Sequence, residues 1–471
     1  KPELNLLTSY ASFNYEEQPS YDLVEEITGY KVNWFNLPQE NPDERLLLEI
    51  GGGTSYDMVI TSVIQASHLF RQNALFDLKP YLEKYGSNIY SEISEIALSA
   101  VTGDDGMIFA VPQTAFDSPS PSVEPYGALK SGIAFNLSYM EDLGMDIPTT
   151  LDEFYDVLKS YTEETGKPAF TQTAGGWNVT IMSAFGMGDA GWYEVEGEYL
   201  PRIKHPEVVD YLSFMQKLYQ EGLMDNDMPI NSHQVAMEKF TNGTALAFPI
   251  AFYNVDQVYS AFTASNIDTK VEIATYLAPD ADTKPSIYIN QGVVYTRIIP
   301  KTAENPEHAM IWLNTISSPE NFLRIYLGEE GVSYEIKDGN YYPVFPAFDD
   351  FTNADKFVGF LPSGETFPMW QARARKTEAM AMLYEQMNSR INEYDIRFYY
   401  ESYASNIEDV QNNEQALGVV TNDSLIQAIA TGEDAQTAID NIIAEWDSNG
   451  GVEYETAMRT WYEANKDTFD N

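Results

Sequence analysis

The first 130 residues of this chain alternate short apolar runs with helical patterns, and no other feature limits the fold as strongly. LNLLTSY leads to a helical stretch through Leu23–Thr28, then YKVNWF, a helical stretch over Pro42–Ile50, and YDMVITS. Strands that rejoin one sheet through helical crossovers run parallel, so β-α-β units are predicted. Gly51-Gly52-Gly53 lacks the Lys-Ser or Lys-Thr of a phosphate loop and is predicted to end a helix before the Asp57 strand. Ser131–Phe170 then reads as strand, turn, capped helix and strand. Thr150 is placed to cap that helix while Glu153 reaches back to the cap's N–H, with Leu151, Phe154, Tyr155 and Leu158 on one face.

With 471 residues the chain exceeds what one core sustains, so more than one unit is expected. Asp117–Pro125 (DSPSPSVEP) reads as a loop, and the strand Gly132–Asn136 as a crossing into a second lobe. From Leu137 the pattern is helix-rich and includes Pro206–Glu221, closed by Gly222. A strand at Val271–Leu277 is predicted to return to the first lobe. Asn305-Pro306 and Ser318-Pro319 read as cap and first-turn pairs that open two helices, and the chain beyond about 330 as helical and aromatic. No repeat of fixed period is present.

Charge excludes whole classes of partner. Lys plus Arg at 27 against Asp plus Glu at 72 gives a net charge of −45, which repels nucleic acid and anionic lipid. No nucleic-acid partner is expected, and the acid reads as a solvated surface. The absence of cysteine removes thiol chemistry, thiolate metal sites and disulfides. No apolar run reaches membrane-spanning length, the densest being Ala245–Tyr253.

The motifs that suggest catalysis have plainer readings. Gly186, Gly188 and Gly191 spell G-x-G-x-x-G, yet WYEVEGEY follows and reads as a hairpin turning near Glu196-Gly197, where a dinucleotide site needs a helix. His68, His205, His233 and His308 include no pair at helical metal-binding spacing, and His308 reads as a surface residue. No nucleophile-elbow sequence supports a Ser-His-Asp arrangement. Paired carboxylates for glycoside hydrolysis stay open, because their separation is not visible in sequence.

The strand, Leu-Gly turn, Pro-Thr-Thr lead and amphipathic helix of Ser131–Phe170 resemble those of extracellular solute-binding proteins that feed sugars to ABC transporters. ITGYKVNWFN (Ile27–Asn36), LEIGGGTSYDMVITS (Leu48–Ser62) and GMIFAVP (Gly106–Pro112) are similar to the family in order. So are VVDYLSFMQKLYQEGLMD (Val208–Asp225) and FTNGTALAFPIAFY (Phe240–Tyr253). Ile299–Ser318, Tyr334–Asn340 and Ala438–Tyr462 resemble its later helices. The chain most resembles the long subfamily of alginate-binding and lipoprotein-type proteins, and more distantly the maltose-binding protein. The resemblance implies an α/β, type II periplasmic-binding-protein-like fold with discontinuous lobes joined by a hinge, plus extra C-terminal helices. The lobes expected are 1–134 plus 278–330, and 135–277 plus 331–471.

A sugar ring presents an apolar face and a polar rim, so it is bound by an aromatic face beside amides and carboxylates. Trp177-Asn178 after a Gly-Gly turn and Phe252-Tyr253-Asn254 after an apolar strand offer that pairing. The resemblance places both at cleft walls and makes Trp370 a third wall. At first-lobe strand ends, where open α/β sheets take ligands, stand Tyr10, Ser12, Thr61, Ser62, Gln113 and Thr114. Asp117, Asn290 and Gln291 are further hydroxyl partners, while Arg373, Arg375 and Lys376 near Trp370 offer a local site for a uronate. The alginate-binding relatives carry an EF-hand-like loop after the helix that corresponds to Leu151–Tyr161. Thr162–Pro168 is shorter and lacks the alternating oxygen ligands, and Asp225-Asn226-Asp227 lacks the turn glycine, so no metal is expected.

These expectations describe a non-catalytic, cofactor-free, monomeric protein that closes two lobes on an oligosaccharide, neutral by preference, and delivers it to permease subunits. The resemblance places it on the outer face of the membrane, lipid-anchored, or in the periplasm. Any signal peptide or lipid-bearing cysteine that the resemblance implies would stand upstream of Lys1. The alternatives are a glycoside hydrolase or lyase with paired carboxylates, and a peptide-binding transport protein.

Overall fold

The protein is described by a computed structural model covering residues 1–11, 13–38, 41–114, 130–358 and 369–469. Ser12 and the whole Ser/Pro-rich stretch Asp117–Pro125 lie outside the described residues. The strands are β1 (Leu4–Thr8), β2 (Val32–Asn36), β3 (Met58–Thr61), β4 (Val111–Thr114) and β5 (Ser131–Asn136). They continue as β6 (Trp192–Val195), β7 (Glu198–Pro201), β8 (Ala247–Ala251), β9 (Val271–Ala274) and β10 (Ser286–Asn290). Last come β11 (Val293–Ile298), β12 (Tyr334–Lys337), β13 (Asn340–Pro343) and β14 (Asp395–Tyr399). No helix among the described residues is long and apolar enough to cross a membrane.

The chain divides into two units. The first comprises Lys1–Glu124, Gln291–Lys376 and Tyr400–Gln411; the second comprises Pro125–Asn290, Thr377–Tyr399 and Asn412–Asn471. In the first unit the predicted β-α-β alternation forms a sheet of order β2-β1-β3-β11-β4. β1 runs parallel to β2 and β3, and β11 antiparallel to β3 and β4. The carboxyl ends of β1, β2 and β3 therefore share one edge with the end of β4 and the start of β11. Asp57 locks this arrangement: its buried carboxylate accepts the N–H groups of Asn5 (2.9 Å) and Asn305 (2.7 Å).

The division differs from the expected lobes. Residues 331–376 belong to the first unit because aromatic packing claims them: the Phe357 ring lies 5.0 Å from Tyr15 and 5.3 Å from Trp34. Arg373 adds to this by donating to the Phe351 and Thr352 carbonyls and by pairing with Asp355. Tyr400–Gln411 joins them, with the Tyr403 hydroxyl donating to the Gln291 carbonyl at 2.7 Å. Tyr334–Asn340, expected to be helical, is instead most of a β12–β13 hairpin, turned by Asp338 and Gly339 at positive φ.

In the second unit β5 lies between β8 and β9, antiparallel to both. The Val271–Leu277 strand therefore stays in this unit. The helix Leu151–Thr165 carries the predicted capping box, Thr150 with Glu153. Its buried face is Phe154, Val157, Leu158 and Tyr161, rotated from the predicted one. Tyr155 instead lies half-buried, with Lys217 3.5 Å from its ring centre and Glu221 accepting its hydroxyl. Glu196 and Gly197, both at positive φ, turn the predicted β6–β7 hairpin, so the Gly186–Gly191 run opens no helix. Pro306–Ile316 and Pro319–Tyr326 are the predicted helices, although Ser318 caps and the Asn305 side chain does not.

Two histidines are structural. His308 is half-buried and its Nδ1 lies 2.7 Å from the Tyr30 hydroxyl, in place of the expected surface position. His205, in the second unit, is held down to about 4 by burial and then by the Arg397 charge. An unfolded histidine titrates near ~6.5, so on acidification the unfolded chain takes a proton that the folded chain refuses. Stability is full above the unfolded pKa and falls as pH drops from it towards 4. Chemical denaturation should show a loss of about 2 kcal/mol between roughly pH 7 and 5 that His205→Gln removes.

Candidate ligand-binding site

A recess of ≈ 340 Å³ opens in the second unit, where β5 and β8 pair and the segment 172–180 folds over their ends. Trp177, Gln172, Thr173, Thr180, His233 and Asn254 supply side chains to its lining, and Phe248, Pro249 and Ile250 supply an apolar floor. Among the described residues the lining contains no Asp, Glu, Lys or Arg. Gly132 is required at its base, because a Cβ there would stand 2.2 Å from Ile273 Cγ2 and 2.6 Å from the Ala274 carbonyl oxygen. The arrangement suits a neutral ligand with both hydroxyl groups and an apolar face.

The loop that carries Trp177 is held from beneath. Trp177 is half-buried, stacked on the fully buried Tyr211 at 5.6 Å and 18°, with the Arg202 guanidinium 5.3 Å from its ring centre. The Tyr211 hydroxyl accepts the Asn178 N–H (2.8 Å) and donates to the Gly176 carbonyl (2.8 Å). Gly176 itself donates to Asn422 Oδ1 (2.9 Å), and a Cβ on it would lie 2.6 Å from Leu425 Cβ. Burial raises the Tyr211 pKa, so the phenol stays protonated and keeps both bonds. Tyr211→Phe is expected to leave two buried backbone groups unpaired, costing about 2 kcal/mol in thermal or chemical denaturation and loosening the Trp177 loop.

Gln172 is fixed by a second network. Its Nε2 donates to the Gly175 carbonyl (3.0 Å), and its Oε1 accepts from Asn178 Nδ2 (2.9 Å). Asn231 Nδ2 donates to the Gln172 carbonyl (3.1 Å) and to Asp225 Oδ2 (2.9 Å), while the Asn231 carbonyl accepts the Ala174 N–H (2.9 Å). Asp225 also accepts from Thr171 Oγ1, Lys239 Nζ and the Asp227 N–H. Burial works against the Asp225 carboxylate, but the hydrogen bonds from Lys239 and Asn231 outweigh it and hold the pKa below the ordinary value. The Asp225–Asp227 stretch thus caps a loop. Among the described residues no group of three or more His, Asp or Glu could hold a metal ion.

The structure brings Trp177, Asn178 and Asn254 together at the recess and gives the other candidates different places. Asn178 is not free to take a hydroxyl group: its Oδ1 caps the helix Val179–Met182 and its Nδ2 is spent on Gln172. Phe252 is fully buried, with its ring 5.6 Å from both Tyr253 and Tyr384, so it supports Tyr253 and is no cleft wall. Tyr253 is exposed beyond β8 and does not line the recess. Trp370 is buried in the first unit. Arg373 is spent on Asp355 and two carbonyls, and Arg375 packs on Tyr342 at 4.6 Å, so the expected uronate site is occupied from within.

In the first unit Thr61, Gln113, Thr114 and Gln291 are buried, while Ser62 is half-buried and caps the helix Val63–Arg71. Tyr10 is exposed just past β1, and Asn290 is half-buried at the end of β10 in the second unit. Sequence reasoning missed Gln172, His233 and Tyr211. Only the tyrosine offered a signal, as an apolar-face position of the helix Val208–Gln220.

The chain thus has two α/β units, the first with parallel strands and the second with an aromatic recess. The family model "bacterial extracellular solute-binding protein" matches residues 13–321, and the chain belongs to that family. Its location is extracellular or periplasmic. A Niallia circulans protein named for the butB 5′ region is 32% identical over 254 residues, spanning 54% of this chain and 98% of that protein. The polygalacturonan/rhamnogalacturonan-binding protein YtcQ of Bacillus subtilis is 23% identical, spanning 97% of this chain and 92% of its own. Among solved structures, the Streptococcus pneumoniae ABC-transporter substrate-binding protein FusA, in complex with kestose, is similar with TM-score 0.71 and 14% identity. That alignment covers 99% of this chain and 100% of FusA.

Proposed function

We propose that this chain is the substrate-binding component of an ABC importer and that its solute is a neutral oligosaccharide, bound unchanged. The observation that carries the reading is the recess: one tryptophan, amide, hydroxyl and imidazole side chains and, among the described residues, no Asp, Glu, Lys or Arg. Tryptophan stacks on the apolar face of a hexose ring while Thr173 and Asn254 meet its hydroxyls. The volume of ≈ 340 Å³ suits one sugar unit with its neighbours projecting out. Relatives named for oligosaccharide binding and ABC transport support the same reading. The glycosidase alternative needs two carboxylates astride the bond, and the described residues of the lining supply neither. A membrane tether through a lipid on an upstream cysteine fits a relative named as a lipoprotein.

Titration calorimetry against neutral oligosaccharides, oligogalacturonides and peptides tests this. Micromolar binding, about 8 kcal/mol, is expected for a neutral glycan, with no new reducing ends after prolonged incubation. Binding confined to peptides or uronates, or release of reducing ends, overturns it.

A further inference from the structure

The loop that carries Trp177 is pinned peptide by peptide, and one of its pins comes from 246 residues away in the sequence. The Asn231 carbonyl accepts the Ala174 N–H, and the Gln172 side chain donates to the Gly175 carbonyl. A single hydroxyl, that of Tyr211, serves the Gly176 carbonyl and the Asn178 N–H. The Gly176 N–H donates to Asn422 Oδ1 at 2.9 Å. Both peptides of Gly176, the residue directly ahead of Trp177, are therefore held.

Asn422 lies inside the helix Glu408–Thr431, where asparagine is a poor helix former because its short amide competes for backbone partners. Its contribution lies outside its own helix. Among the described residues the Asn422 side chain makes no hydrogen bond besides the one to Gly176, and it is half-buried without lining the recess. One turn further on, the fully buried Leu425 meets the same glycine: a Cβ on Gly176 would stand 2.6 Å from Leu425 Cβ and 3.4 Å from the Asn422 carbonyl oxygen. The loop backbone thus lies directly against the helix, and the Asn422 amide fixes its register there. Without that acceptor the Gly176 N–H turns to water, which favours a loop lifted from the helix.

We infer that Asn422 is a positioning residue for solute binding, acting from outside the recess by holding Gly176 so that the Trp177 ring is in place before a sugar arrives. The inference rests on the proposed function. A ring ordered in advance costs less entropy on binding than one the ligand must order, so the effect of Asn422 is read in affinity.

The test titrates a panel of malto-, fructo- and manno-oligosaccharides into the full chain and its Asn422→Ala, Asn422→Asp, Trp177→Ala and Asn422→Ala/Trp177→Ala variants. Asn422→Ala should bind the tightest of them about tenfold more weakly, and Asn422→Asp, which keeps the accepting oxygen, within about twofold of the unaltered chain. The thermal midpoint of Asn422→Ala should stay close to the unaltered value, because alanine's better helix propensity offsets the lost bond. Adding Asn422→Ala to Trp177→Ala should cost nothing further, since a residue that acts through the ring then has nothing left to position. Amide exchange across residues 174–178 should be faster in unliganded Asn422→Ala and slow again when sugar binds. If Asn422→Ala binds normally while Trp177→Ala fails, the inference falls and the proposed function stands. The inference also falls if Asn422→Asp loses as much as Asn422→Ala, or if the two losses add in the double variant. If no sugar of the panel binds the unaltered chain, both readings fall.

Discussion

Trp177→Ala is expected to weaken oligosaccharide binding about a hundredfold, or ~3 kcal/mol, with little change in folding. The ring forms a large aromatic surface of the recess and is already fixed on Tyr211 at 5.6 Å, so little entropy is spent in ordering it when ligand arrives. Removing it takes away stacking area and leaves a larger, wetter recess. Calorimetry on the purified variant measures the effect. Trp177→Phe should recover part of the loss, because a smaller face still stacks. An alanine variant that binds as tightly as the unaltered protein places the sugar elsewhere.

Asp225→Ala should be the most damaging single change to the second unit, at about 4 kcal/mol. Its carboxylate accepts from Thr171, Asn231, Lys239 and the Asp227 N–H, and these groups fix residues 171–174 against the end of the helix Val208–Gln220. Alanine leaves buried donors without an acceptor, and among the described residues Lys239 then keeps the exposed Asp227 as its ion-pair partner. Thermal denaturation should show a midpoint lowered by roughly 10 °C. Acid has the same direction of effect: a carboxylate held below its ordinary pKa contributes stability above the unfolded value and loses it as pH falls through the folded one. Asp225→Asn should be milder at neutral pH and should flatten that part of the acid response.

Local signals were legible and long-range ones were not. The β-α-β alternation, the Thr150–Glu153 capping box and the Glu196-Gly197 hairpin turn each depend on residues a few positions apart, and each stands where the spacing places it. Tyr155 was misjudged because Leu151 and Tyr155 share a helical stripe that the fold leaves half-buried, while Val157 and Tyr161 complete the buried one. Trp177 was legible as a loop residue because a glycine pair precedes it, and the structure places it at the recess. Asn178 could be placed but not assigned, since an asparagine that caps a helix and one that binds a hydroxyl look alike in sequence. Gln172, His233 and Asn254 meet only because Phe170 and Thr171 run beside β8, joined by the Thr171 N–H to the Ala247 carbonyl at 3.1 Å. The membership of residues 331–376 was hidden for the same reason, since rings more than 300 residues apart in the sequence, Tyr15 and Phe357, decide it.

A crystal structure of the protein grown with the tightest-binding neutral oligosaccharide tests the central claim most directly. The account predicts an intact glycan with one hexose stacked on Trp177 and its hydroxyls within hydrogen-bond distance of Thr173 or Asn254. A glycan seated away from an empty Trp177 recess, or one cleaved in the crystal, would contradict it.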